Sequence, residues 1–216
     1  MAKQKICVNL DCDDFHMSNM KCLKYFERLC EEFPGINITF FMPSNYHGNG
    51  EVTPGFMDSV KEYLGHPKNW ISYGLHGFLH LSPTGQGEHE LVLSLEYFKA
   101  MMNGIKYLPY DNVFRPPGWM ITHEILKYLK DTDWVIAGHP NNYNNISFIN
   151  IHESIPEHLL ENVVIHSHAS SQRRNLNGID TEASYQNTQK IIQHLHDKYE
   201  IIWVTSKELY LRGKLK

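Results

Sequence analysis

His76-Gly-Phe-Leu-His80 sets two imidazoles four residues apart, a spacing that brings both to one face of a helix, as a tight loop also can. Two histidines and one carboxylate on one side of a divalent ion leave positions open for water and substrate, which suits a catalytic rather than a structural site. A source of carboxylates lies upstream, where Asp11-Cys12-Asp13-Asp14 ends an apolar run. Adjacent carboxylates repel, so ionising both calls for a cation or strong donors beside them. The plainer use of such a pair is a turn or a helix cap. Taken with the histidines, one of the two carboxylates completes a candidate divalent-metal site.

Two further segments carry chemistry. Arg115-Pro-Pro-Gly-Trp119 is short and rigid: its prolines fix the backbone and donate no N–H, which leaves the amides of Gly118 and Trp119 as donors to a cleft. Arg115 has the fork to hold a carboxylate through two hydrogen bonds, while Trp119 is equally readable as a core plug. Val164-Ile-His-Ser-His168 ends a strand-like run with two histidines on one face, and either can titrate near neutrality and act as a general acid. The sequence holds 14 histidines; those outside these motifs carry weaker signals, and His194 and His196 read as helix surface. Neither a Gly-x-Ser-x-Gly elbow nor a P-loop occurs.

The elements that must position these residues alternate between strand-length apolar runs and segments of helical period. Strands are expected near 5–11, 36–42, 70–75, 112–114, 134–137, 147–151, 162–166 and 201–204. Helices are expected near 18–33, 54–64, 88–107, 122–130 and 180–199, with a short one between the strands at 147–151 and 162–166. Pro34-Gly35 stops the first helix, and the Asn-rich stretch 141–145 reads as loop. The pattern implies parallel strands with right-handed crossovers in one domain. No Gly-x-Gly-x-x-Gly follows the first strand, so a dinucleotide-binding sheet has no support. Asp11, Asp13, Asp14, His47, His76, His80, Arg115, His139, His166 and His168 all follow strands. In a barrel those ends open on one face.

Composition narrows the classes. Hydrophobic residues make up 42% and charged residues 20%, with a net charge of −4, which argues against a basic nucleic-acid-binding face. No run approaches the roughly 18 apolar residues of a membrane span. Nor does the N-terminus resemble a secretory signal, so a cytoplasmic protein is expected. The four cysteines lack paired CxxC spacing and read as small hydrophobes.

Taken in order, the motifs resemble the polysaccharide deacetylase family, the chitooligosaccharide deacetylase homology group of carbohydrate esterases. Asp13-Asp14 matches its Asp-Asp strand end, and Thr39-Phe40-Phe41 matches its Thr-Phe-Phe strand. His76 and His80 match its His-x-x-x-His, Arg115-Pro116-Pro117 its Arg-x-Pro, and Val164-Ile165-His166 its late apolar-x-His. The likeness runs from Val8 to about Leu209. It implies a distorted (β/α) barrel of seven or eight parallel strands, and a divalent metal on Asp14, His76 and His80. The metal would be zinc, with cobalt, nickel, manganese and iron as chemical alternatives. Asp13 would be the base, Arg115 would orient it, and His166, or His168 beside it, would be the acid. Gly118 and Trp119 would serve the oxyanion, and an N-acetylated or N-formylated amino sugar or oligosaccharide would be the substrate. The family's Asp–Trp motif has no good match, because Asp133-Trp134 opens its strand rather than closing it. Two other readings keep part of this picture: a metal-dependent amidase acting on a small non-sugar amide, and an inactive module that grips glycans with Trp119 and Tyr143.

Overall fold

Along the first strand, β1 (Gln4–Asp13), Ile6, Val8, Leu10 and Cys12 alternate with Cys7, Asn9, Asp11 and Asp13. Such alternation sorts residues onto two faces, and here both faces are buried apart from the half-buried Cys7. A strand covered on both sides belongs at the centre of a sheet with helices outside and a filled interior. The computed structural model describes residues 3–45, 53–64, 69–77, 95–106, 108–170 and 178–213, and it places β1 at such a centre.

Seven more strands follow: β2 (Ile38–Met42), β3 (Ile71–Leu75), β4 (Val113–Phe114), β5 (Val135–Ile136), β6 (Ile146–Asn150), β7 (Asn162–His168) and β8 (Tyr199–Trp203). All pairings are parallel, in the order β5-β4-β3-β2-β1-β7-β6. β8 pairs with Gln4–Val8 of β1, and β2 pairs with its later residues Leu10–Cys12. Cys7 and Val8 also pair with β7, so β8 and β2 lie end to end along the other edge of β1. Asn9 fills the junction, donating to the Val204 carbonyl at 2.6 Å and to the Asn37 side chain at 3.3 Å.

The sheet is curled. β5 and β6 stand at opposite ends of the strand order, six spacings apart, or about 29 Å on a flat sheet. Yet the rings of His139, just past β5, and Phe148 of β6 lie 6.2 Å apart. The expected distorted (β/α) barrel is the fold, with eight strands among the described residues.

Among the described residues, five helices coat its outside: α1 (Leu23–Glu32), α2 (Pro54–Leu64), α3 (Leu95–Gly104), α4 (His123–Lys130) and α5 (Glu182–Lys198). Their apolar stripes, among them Phe26, Leu29, Phe98, Leu129 and Ile192, join Ile6, Val8 and Leu10 in one core. Thr122 and Thr181 cap α4 and α5 by accepting backbone N–H bonds, each contributing about 1 kcal/mol. None of the described helices is long and apolar enough to cross a membrane. The four cysteines are free thiols, and Cys12 and Cys22 are buried.

Three local expectations are corrected. The helix expected over 18–33 divides into a 3₁₀ turn, Met17–Cys22, and α1. Asn19 causes the break: its side chain donates to the Asp14 carbonyl and accepts from the His16 N–H, local bonds that compete with the helix. No helix forms between β6 and β7, where Asn150 accepts the His152 N–H in a turn and Pro156 holds Ile155 away from helical geometry. The helix expected over 88–107 runs, within the described residues, as α3.

A sixth helix, α6 (Ser206–Arg212), was not anticipated, although Thr205-x-x-Glu208 is a capping box legible in sequence. It fills the barrel rather than coating it: Leu209 and Tyr210 pack with Phe41, Val113, Ala137 and Val164. The fit is tight at Gly74, where an added Cβ would run into the Phe41 ring and meet Val113 at 3.1 Å. Gly74→Ala is therefore expected to lower unfolding free energy by about 1–3 kcal/mol, as overpacking does. Denaturant titration checks this, and a loss under about 0.5 kcal/mol would mean that the ring moves aside freely.

Candidate active site

The C-terminal ends of β1, β3, β4 and β7 bring the acidic, basic and imidazole groups together. Asp13 is the last residue of β1, and its side chain shares the inner face with Asp11. Asp14 turns in the left-handed region at φ +60°, which Asp tolerates better than most residues and which sends its carboxylate off the strand line. His76 follows β3, with its backbone N–H donating to the Met42 carbonyl at 2.9 Å. Arg115 follows β4 and is fully buried.

The His76 ring is oriented through both of its nitrogens. Nδ1 lies 2.9 Å from the Arg115 carbonyl; a carbonyl only accepts, so Nδ1 carries a proton. Nε2 then faces Asp14 Oδ1 at 3.6 Å and Asp13 Oδ2 at 3.8 Å. A backbone carbonyl that fixes one ring nitrogen while the other faces acidic groups is the usual support of a metal-ligating histidine.

Arg115 organises the rest. Nη1 donates to Asp13 Oδ1 at 2.8 Å and approaches His166 Nδ1 at 3.4 Å, while Nη2 donates to Asp11 and to the Tyr210 hydroxyl. Burial by itself raises the pKa of Asp13, but Arg115, aided by His76 and His166, outweighs it and holds the carboxyl well below the usual range. Arg115 thus favours the ionised form of Asp13 in the resting site. Asp11 shifts the other way, raised by burial against the pull of Arg115 and Ser206.

His166 and His168 both reach the site, from alternate positions of β7; Asp13 is in register with His168. Arginine only donates, so His166 Nδ1 accepts from it, and a neutral ring keeps its proton on Nε2, 4.0 Å from Asp13 Oδ2. Burial holds the His166 pKa well below its ordinary value, against the opposing pull of Asp13. His168 is half-buried and packs edge-on against His166 at 4.9 Å. Among the described residues, Asp13, His166 and His168 also bring ligand atoms within 4.8 Å of one another.

These residues fit a divalent ion. Arg115 pairs with Asp11 and Asp13, which leaves the Asp14 carboxylate and the unprotonated His76 Nε2, 3.6 Å apart, as donors to a cation. His80 and His47 lie outside the described residues.

The loop after β4 corrects one assignment. The Trp119 N–H donates to the Pro116 carbonyl at 3.0 Å, so it is not the free oxyanion donor expected from the sequence; of that pair, Gly118 is left for the role. Trp119 stands at φ +63°, an outlier for a bulky residue, and such strain gathers at functional sites. Its ring contacts His139, Phe148 and His166 at 5.4–6.0 Å and covers the Arg115 guanidinium at 4.7 Å. It is a wall of the site rather than a core plug. Tyr143 is buried, with its hydroxyl donating to the Ile136 carbonyl, so it offers no face to a glycan. Asp133 accepts from Asn112 ahead of β4 and β5, away from the cleft end.

Sequence reading gave no task to three participants: Asp11 as a partner of Arg115, and Ser206 and Tyr210 on α6. For Asp11 a signal existed, since Asn9, Asp11 and Asp13 recur at period two within an otherwise apolar strand.

One stability consequence follows for His166 in metal-free protein. Its native pKa lies below the unfolded value of about 6.5, so the native state takes up its proton less readily. That stabilisation is complete above about pH 6.5 and is lost as pH falls toward the native pKa. His152 and His196, also lowered by burial, act in the same direction. The melting temperature of chelator-treated protein is expected to fall between pH 7.5 and 5, and His166→Asn to flatten part of that slope. A melting temperature independent of pH in this window would contradict it.

No family model matches the sequence, and no curated protein matches it. Solved structures do share its fold. The Xyl-CE4 domain of a multidomain xylanase from the hindgut metagenome of Trinervitermes trinervoides superposes with a TM-score of 0.51 at 16% identity, covering 97% of this chain and 91% of that one. A T48 deacetylase solved with substrate gives 0.52 at 14%, covering 98% and 94%. The chitin deacetylase of the fungal pathogen Colletotrichum lindemuthianum gives 0.55 at 15%, covering 94% and 88%. At these identities the likeness is one of architecture, extending over nearly the whole of each chain.

Proposed function

We propose that this protein is a metal-dependent hydrolase that removes an N-acetyl or N-formyl group from an amino sugar or oligosaccharide. The observation that carries the reading is the His76 ring, tied by Nδ1 to the Arg115 carbonyl and turned by Nε2 onto the Asp13–Asp14 pair. The fold shared with two proteins described as deacetylases supports it.

Asp14 and His76, with His80, would hold the ion, zinc or another divalent metal. Bound there, it would supply polarisation of the amide carbonyl and a more acidic water. The remaining work belongs to the chain. Arg115 holds Asp13 Oδ1 and leaves Oδ2 toward the cleft. Oδ2 takes a proton as water adds to the carbonyl carbon, and the Gly118 amide is the loop's donor to the oxyanion. As the C–N bond breaks, His166 gives its Nε2 proton to the departing amine and in the same step takes up the proton held by Asp13, so that the ring stays neutral throughout. Trp119 and Phe148 exclude water beside that imidazole. The products are a free amino sugar and acetate or formate. His168, which is more open, is the alternative proton donor.

Acetate release from N-acetylated oligosaccharides and sugar nucleotides tests the proposal. It should depend on divalent metal and disappear with a chelator. Hydrolysis confined to small non-sugar amides would move the substrate, and glycan binding without turnover would make this an inactive module.

The metal seat has its own test. One divalent ion per chain is expected after mild dialysis, with near-background content in His76→Ala/His80→Ala. A double variant that keeps full metal content would remove this site, and loss of metal in His168→Ala instead would favour the Asp13–His166–His168 group.

A further inference from the structure

We infer that Asp11 is a positioning residue whose task is to occupy one arm of Arg115, so that Asp13 keeps one oxygen for the reaction. This rests on the hydrolytic reading above, with Asp13 as base. A guanidinium next to a single carboxylate closes on it through two parallel bonds and engages both oxygens. Arg115 does not do so here. Nη1 goes to Asp13 Oδ1, while Nη2 is taken by Asp11 Oδ2 and the Tyr210 hydroxyl, and Nε points to the Ala137 carbonyl at 3.4 Å. Phe41 lies against one side of the guanidinium at 4.0 Å, and the Trp119 ring is 4.7 Å away. Held in this way, the fork cannot rotate onto Asp13, and Asp13 Oδ2 stays between His76 and His166.

Asp11 is itself anchored from the far end of the chain. Its Oδ1 accepts from the Ser206 hydroxyl at 2.6 Å, and Ser206 opens α6, the helix that fills the barrel. The Ser206 N–H donates to Thr39, whose hydroxyl lies 2.7 Å from that of Ser72. The Ser167 hydroxyl donates to the Asp11 backbone carbonyl at 2.8 Å. A buried polar chain thus runs from the barrel interior through Asp11 and Arg115 to Asp13, and α6 sets its register.

The test compares Asp11→Leu with Asp11→Asn. Asp11→Leu leaves Arg115 and Asp13 as a charge-balanced pair free to close in two-pronged fashion, whereas Asn retains an acceptor for Nη2. Asp11→Leu is expected to lower kcat by about 10²-fold, the scale of a misplaced reacting group, with KM and metal content unchanged. Asp11→Asn should recover at least tenfold of that loss. Once Asp13 is Asn, adding Asp11→Leu should cost almost nothing more, because residues acting as a unit are non-additive. Additive losses, or a fall driven by KM, overturn the inference.

Should Asp11→Leu fail to fold, Ser206→Ala removes only the anchor. It should lower kcat several-fold with KM unchanged, and unchanged kcat there overturns the inference equally. A readout independent of turnover uses ¹⁵N-labelled arginine: the Arg115 Nη signals should be distinct and protected in the wild type and Asp11→Asn but altered in Asp11→Leu. If the wild type hydrolyses no N-acyl sugar yet these signals change as stated, the function fails and the clamp stands. Identical signals in all three proteins reject the clamp whatever the activity.

Discussion

Asp13→Asn is expected to lower turnover by about 10²- to 10⁴-fold, the range for loss of a general base, with metal affinity close to wild type. Asn keeps the shape of Asp but is neutral, and its amide is a poor base. The geometry separates the two neighbours: Asp13 is bound by Arg115 through Oδ1, while Asp14 Oδ1 is the carboxylate oxygen nearest to His76 Nε2, at 3.6 Å. Asp14→Asn should therefore weaken metal binding first, and excess metal should partly restore turnover. Metal titration and steady-state rates on both variants check the pair. Rescue of Asp13→Asn but not Asp14→Asn by excess metal would reverse the two roles. Loss of metal from Asp13→Asn alone would put the ion with His166 and His168 instead. A turn-forming Asp pair predicts altered stability in both variants and selective metal loss in neither.

Replacing Arg115 is expected to have the largest effect on stability. Its guanidinium is buried and carries hydrogen bonds to two buried carboxylates, Asp11 and Asp13. Breaking a buried ion pair from one side leaves uncompensated charge and typically costs about 3–5 kcal/mol, a large share of the roughly 5–15 kcal/mol that holds a domain together. Arg115→Met should lower the denaturation midpoint accordingly or prevent accumulation of folded protein. Arg115→Lys should rescue little, because one ammonium on a flexible stem cannot span Asp11, Asp13 and Tyr210 as a planar fork does. Denaturant unfolding measures both. A loss under about 1 kcal/mol for Arg115→Met would mean that Asp11 takes up a proton at little cost once the guanidinium is gone, a route that its raised pKa leaves open.

Several features were legible because they depend on short-range pattern. The period-two alternation of β1, the helical stripes of α1 and α5 and the punctuation at Pro34-Gly35 are local, and they return as elements within a few residues of the expected limits. The gathering of Asp13, Asp14, His76, Arg115, His166 and His168 at one end of the barrel follows from parallel strands alone, since every strand then ends on the same face. Errors arose where side chains compete with backbone: Asn19 breaks the first helix, and Asn150 with Pro156 replaces the short one after β6.

The sequence by itself determined which residue types stand at the strand ends and that those strands run parallel. Only the tertiary structure decided which atoms meet. The curl of the sheet brings His139 against Phe148 from opposite ends of the strand order, and α6 returns Ser206 and Tyr210 to residues nearly two hundred and nearly one hundred positions earlier. The tautomer of His76, the engaged amide of Trp119 and the divided grip of Arg115 are likewise set by partners distant in sequence or by one turn's closure. Hydrogen bonds are directional and reach about 3 Å. Spacing along a chain places a residue at an edge or on a face, but it does not fix a contact at that scale.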